Sequence, residues 1–121
     1  MIKLYGINNC DTIKKTKRWL DTQNFEYEFH DYKKLGCSEQ LAKQLLDQLP
    51  LGEVINNRGT TWRKLSDKVK NDLNREAAIN LMIEQPSVIK RPIFDIHGEW
   101  VIGFNPEKLT SLIKKTLNNK F

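Results

Sequence analysis

The chain has little of what would place it outside the cell or in a membrane. It carries two cysteines, Cys10 and Cys37, among its 121 residues. That is too few to staple a small secreted domain. It has no run of about 18 apolar residues, so no helix of it is expected to span a bilayer. Its start, Met1 to Tyr5, runs straight into a strand-like segment with no leader pattern. A cytoplasmic location is therefore expected, and in that reducing compartment a lone thiol stays free to react. The two histidines, His30 and His97, share no ligand-type spacing with either cysteine, so no metal site is expected. Internal repeats and low-complexity tracts are absent.

What is present suits one globular domain spanning residues 1–121. Apolar residues make up 39% of the chain and recur in clusters along its whole length, enough for one core without disulfides. Charged residues make up 29%, mixed in sign, which is not the signature of disorder. The net charge of +5 favours anionic partners. A monomer is expected, with no membrane partner. The cluster of Arg58, Trp62, Arg63 and Lys64 has the composition of a nucleic-acid patch. Trp62 reads better as a packing residue at a helix start, and nucleic acid is not an expected partner.

The hydrophobic pattern gives the element order. Ile2 to Tyr5 reads as a strand, and Gly6 to Asn9 as a loop. A helix follows from about Cys10 to Asn24, with Ile13, Thr16 and Leu20 inward. Phe25 to Asp31 alternates as a second strand, Phe25, Tyr27 and Phe29 on one face and Glu26, Glu28 and His30 on the other. Ser38 and Glu39 open a helix striped by Leu41, Leu45 and Leu49 and ended by Pro50. Gly52 to Thr61 reads as a loop. Thr61 to Gln85 is helical in two or three pieces, striped by Leu65, Val69 and Leu73, then Ala78, Leu81 and Met82. Residues 93–96 and 99–102 form a hairpin whose turn needs positive φ near Gly98. Asn105-Pro106-Glu107 starts a last helix, striped by Leu109, Leu112, Ile113 and Leu117. The order β-α-β, helical segment, β-β-α is that of a thioredoxin-like α/β fold. Its core is expected over about residues 1–36 and 87–117, with a helical insertion over about 37–86.

Cys10 stands where the first strand hands over to the first helix. The opening N–H groups of a helix lack intrahelical partners and carry about half a positive charge. A thiolate gains both the field and the hydrogen bonds. Lys14, one turn on, adds to this, and Asp11 opposes it. The polar neighbours Asn8, Asn9, Asp11 and Thr12 favour exposure of the sulfur. Cys37 follows the second strand. It could act as a resolving thiol only if its Cα came within about 7 Å of the Cys10 Cα, and it reads as an incidental loop cysteine.

The run Tyr5-Gly6-Ile7-Asn8-Asn9-Cys10-Asp11-Thr12-Ile13-Lys14-Lys15 resembles the N-terminal motif of the ArsC/Spx family, nearest its YffB-like branch. Three further stretches agree in the same order: His30-Asp31-Tyr32, Asn57 to Leu65, and Ile89-Lys90-Arg91-Pro92. The resemblance implies a thioredoxin-like core with a helical insertion. It also implies one active cysteine, Cys10, and a cis proline at Pro92. Glutathione or glutaredoxin is the implied electron donor, and no bound cofactor is implied. Arsenate reductases of this family hold the oxyanion with three arginines, two of which correspond to Arg58 and Arg91. The third position is Asn105 here, and the loss of that guanidinium argues against arsenate. The implied site is thus Cys10 as nucleophile, with Asn9, Asp11, Thr12, Lys14, Arg58, Arg91 and Pro92 around substrate or glutathione. Spx proteins bind RNA polymerase, and many sense oxidation through a second cysteine where this chain has Ile13. A polymerase-binding regulator without turnover is the alternative reading.

Overall fold

The computed structural model describes residues 1–118. In chain order its elements are β1 (Ile2–Gly6), α1 (Asp11–Thr22), β2 (Tyr27–Asp31), α2 (Tyr32–Leu35), α3 (Glu39–Gln48), α4 (Leu51–Val54), α5 (Thr60–Arg63), α6 (Asp67–Asn71), α7 (Arg75–Glu84), a 3-10 turn (Pro86–Val88), β3 (Ile93–Ile96), β4 (Glu99–Ile102) and α8 (Pro106–Asn118). The chain divides into two compact units. One holds residues 1–31 together with 91 onward, and the other holds Tyr32–Lys90.

The first unit is a mixed four-stranded sheet in the order β2-β1-β3-β4. β1 pairs parallel with β2, Gly6 opposite Asp31, and antiparallel with β3, Tyr5 opposite Ile93. β3 and β4 form the expected hairpin. Its turn has His97 at φ 52° and Gly98 at φ 92°, and Gly98 N–H donates to Asp95 Oδ1 at 2.8 Å. Alternation along the strands sends Ile2, Leu4, Phe94, Ile96 and Val101 into one core. The inward stripes of α1 (Ile13, Leu20) and α8 (Leu109, Ile113) join it. Thr16, also buried, satisfies its hydroxyl by donating to the Thr12 carbonyl at 2.7 Å. α1 stops where Asn24 takes a left-handed φ of 59° and Phe25 N–H bonds back to the Leu20 carbonyl.

The second unit is helical. α3 and α7 bury Ala42, Leu45, Ala78, Ile79, Leu81 and Met82. Ser38, Ser66 and Asn74 cap α3, α6 and α7, each accepting from a backbone N–H three residues on. Arg75 Nη2 meets Asp47 Oδ1 at 2.7 Å, an exposed pair worth at most about 1 kcal/mol.

Three local expectations change. The second strand begins at Tyr27, because residues 24 and 25 are spent on ending α1. The stretch 52–61 is only partly loop. It contains α4, then a bridge between Ile55 and Ile89 made by Asn56 N–H to the Val88 carbonyl and Lys90 N–H to the Val54 carbonyl. Val69 belongs to no buried stripe. It is 40% exposed, since α6 is five residues long and Leu65 and Leu73 fall outside it.

Phe94, wholly buried, and Val69 give contrasting expectations. Phe94→Ala should lower unfolding free energy in urea by about 3–5 kcal/mol. Val69→Ser should stay within about 0.5 kcal/mol of the parent. A large loss at Val69 would restore the buried stripe.

Candidate active site at Cys10

The geometry of the sheet decides what gathers around Cys10. β1 ends at Gly6, and β3 begins at Ile93 opposite Tyr5. Residues 91 and 92 therefore stand at the sheet edge where β1 runs out. β4 returns to the same edge, and Gly103 N–H donates to the Pro92 carbonyl at 2.9 Å. The Arg91–Pro92 peptide is cis, as the resemblance implies. Both α1 and α8 start from this edge, one after β1 and the other after β4.

Gly6 is the point of closest approach. A Cβ there would collide with Ile13 Cδ1, lie 2.9 Å from Ile13 Cγ1, and lie 3.7 Å from Arg91 Cβ. The first turn of α1 and the Arg91 Cβ thus both approach one bare position on β1. Ile13 fills that space with no exposed surface.

Cys10 is the N-cap of α1, with extended φ −146° and ψ 127°. Its carbonyl accepts from Lys14 N–H at 3.0 Å, the first helical bond. Its sulfur makes no capping hydrogen bond and is partly exposed. Among the described helices of ten residues or more, α3, α7 and α8 each have a side-chain cap. In α1 the cap position holds a thiol, and the leading N–H groups stay available. Asn9, Asp11, Thr12 and Lys14 are exposed around it. Arg91 is half-buried, and its Nε is closed off from solvent.

Asn105 caps α8 by accepting from Lys108 N–H at 3.2 Å. The position of the third family arginine is therefore occupied by a residue with a structural task. Arg58 belongs to the second unit, exposed in a turn where its N–H donates to Asn56 Oδ1 at 3.2 Å. The Ile55–Ile89 bridge holds the start of that turn within the second unit.

Cys37 is no open loop thiol. It is 4% exposed in the second unit, and burial pushes its thiol up to about 11. Sequence reasoning also missed two aromatic groupings. The Tyr5 ring lies between His30 (5.3 Å) and Trp100 (5.7 Å). Trp19 meets both Phe25 and Phe104 at 5.8 Å. The first joins three strands, and the second joins α1 to the loop that follows it and to Phe104 near the start of α8, far along the chain.

A mixed four-stranded sheet with a partly exposed cysteine capping its first helix and a cis proline before its third strand is a thioredoxin-like fold. The sequence pattern of the ArsC family matches residues 5–112, and the chain belongs to that family. A solved structure described as YffB (PA3664) protein superimposes with a TM-score of 0.88 at 40% identity, covering 93% of this chain and 99% of that one. An arsenate reductase-related protein from Brucella melitensis gives 0.75 at 38% identity, covering 91% and 92%. An uncharacterised protein of Haemophilus influenzae is 42% identical over 89% of this chain and 95% of its own length. No helix among the described residues is long and apolar enough to cross a membrane.

Two expectations follow. Gly6→Ala should cost about 1–3 kcal/mol by crowding Ile13, read as a lowered urea midpoint. The second concerns alkali. The Cys37 thiol leaves its proton near 9 in the unfolded chain and near 11 in the folded one. The unfolded state therefore binds fewer protons in that window, and stability falls as pH rises from about 9 to about 11. Cys37→Ala should remove that share of the slope and leave the share of Tyr5, whose phenol is also raised, by burial and by Asp95 and Glu28. An unchanged slope in Cys37→Ala would refute the assignment.

Proposed function

We propose that the protein is a glutathione-coupled thiol reductase with Cys10 as its nucleophile. The reading rests chiefly on one observation. The cap of α1 is a partly exposed sulfur with no capping bond, in a chain that caps its other long helices with Ser or Asn. At that place the leading N–H groups of α1 carry no side-chain cap and can donate to negative charge at the sulfur.

The exchange runs in two balanced steps. The Cys10 thiolate attacks the glutathionyl sulfur of a mixed disulfide, the old S–S bond breaks, and the substrate leaves as its thiolate. A glutathione thiolate then attacks the Cys10-glutathionyl bond and departs as glutathione disulfide, returning Cys10 to the thiolate. Overall one free glutathione is consumed: the substrate sulfur becomes a thiol, the incoming glutathione joins the glutathionyl group taken from the substrate as glutathione disulfide, and no second protein thiol takes part. Arg91 supplies the guanidinium for a glutathione carboxylate, with Asn9, Asp11, Thr12, Lys14 and Pro92 around it. The family resemblance gives Arg58 a similar task.

Disulfide exchange is favoured over arsenate reduction because Asn105, spent on the α8 cap, offers no guanidinium. It is favoured over a redox-switched regulator of the Spx type because Ile13 stands where the second thiol would be.

The test is intact mass after exposure to glutathione disulfide, with turnover of a glutathionylated peptide measured beside it. The parent should gain one glutathionyl group on Cys10, and glutathione should remove it. Cys10→Ser should lose all turnover, yet melt no lower than the parent and gain up to about 1 kcal/mol, because Ser is the better cap. Arg91→Ala should cost about 10- to 100-fold in kcat/KM, and Arg58→Ala reads its own share in the same assay. A fully active Cys10→Ser variant, or a parent that takes up no glutathionyl group, would end the reading.

A further inference from the structure

We infer that Lys17 is a positioning residue for Cys10, acting through Asn8. The inference rests on Cys10 being the reactive thiol.

Cys10, Lys14 and Lys17 stand at helical spacings of four and three, so they share one face of α1. Side chains on a helix lean toward its N-terminus, which directs the long stem of Lys17 back toward the loop before Cys10. Its Nζ donates to Asn8 Oδ1 at 2.7 Å. The same Nζ sits 3.7 Å from the centre of the Phe29 ring on β2. Two contacts of different kinds thus hold one ammonium, a charge-assisted hydrogen bond and a cation–π contact. The other cations of α1, Lys14, Lys15 and Arg18, are exposed, whereas Lys17 is half-buried.

The sulfur needs such a restraint from its backbone. It makes no capping bond of its own, so its direction follows the chain path through residues 8 to 10. After Cys10 that path is fixed by its carbonyl accepting from Lys14 N–H. Further back, Ile7 is anchored by burial at 5% exposure. Between these points Asn8 and Asn9 are both exposed, and Asn8 is gripped through Lys17. Phe29 lies on the strand paired with β1, so the grip refers the loop to the sheet as well as to the helix.

The test measures the second-order rate of Cys10 alkylation by iodoacetamide across pH, up to the plateau where the thiol is fully ionised. The variants are Lys17→Met, Lys17→Arg, Asn8→Ala and the Lys17→Met/Asn8→Ala double. Lys17→Met keeps the stem over Phe29 and removes the charge. Lys17→Met and Asn8→Ala should each lower the plateau rate by roughly three- to tenfold. The double variant should fall no further than either single, and Lys17→Arg should recover most of the rate. An unchanged plateau, additive losses in the double variant, or losses that merely track melting temperature without recovery in Lys17→Arg would each overturn the inference. Asn8→Ala alters an exposed loop residue and carries the test if Lys17→Met does not fold. A parent that alkylates with this coupling yet takes up no glutathionyl group would sink the exchange reading and leave this one standing.

Discussion

The bare position at Gly6 is the constraint on which the site depends. β1 is flanked by β2 and β3, so its end is fixed on both sides by backbone pairing. A helix leaving that strand can start close to the sheet only if the strand residue beneath it has no side chain. Gly6 has none, and Ile13 takes the space while Arg91 Cβ stands 3.7 Å from it. Cys10 lies between Gly6 and Ile13 in the chain, and its place follows from that of the two residues. The same small volume therefore sets where the sulfur emerges and how near the Arg91 Cβ comes to the strand end.

Stability and chemistry pull apart at the next step. An N-cap is worth about 1 kcal/mol when it is Ser, Thr, Asn or Asp. The chain uses such residues at Ser38, Ser66, Asn74 and Asn105, and at each one a backbone N–H is taken up. At Cys10 it forgoes the bond and leaves those donors for a thiolate, or for whatever negative charge develops on it. That is a local breach of a rule obeyed elsewhere in the same molecule, and such breaches are expected at functional positions. Asn105 is the opposite case. Its helix start lies at the same sheet edge, yet its side chain serves the helix.

How far the sequence was readable follows from which interactions are local. The α1 stripe, the hairpin turn at Gly98 and the Asn105 cap depend on residues within a few positions of one another, and each is found as expected. Cys10 at a strand-to-helix junction was legible for the same reason. The second-strand boundary was not, because Phe25 alternates properly with Tyr27 and Phe29 but is used to close α1 through Leu20. Val69 was misplaced because helical spacing says nothing about whether another layer lies above a five-residue helix. The Ile55–Ile89 bridge joins residues 34 apart, beyond any periodicity. The hold of Lys17 on Asn8 was equally hidden, since a lysine at that spacing is ordinarily a solvated one.

The two cysteines differ in environment rather than in residue type, one partly exposed and the other enclosed. Cys37 is enclosed, and removal from water penalises its charged form until its thiol holds its proton to about 11. At pH 7 roughly one molecule in ten thousand would carry that thiolate, and a thiol is nucleophilic only as thiolate. It is also 4% exposed, so even that fraction has little access to a visiting disulfide. Ile13 removes the other place from which a neighbouring thiol could come. In the proposed exchange, a disulfide formed at Cys10 would therefore be resolved by a small thiol from solution. Arg91, whose Cβ lies 3.7 Å from where a Gly6 Cβ would be, belongs to the segment that enters β3 beside the end of β1. The constraint that places the Cys10 sulfur thus also brings the Arg91 segment to the same strand end.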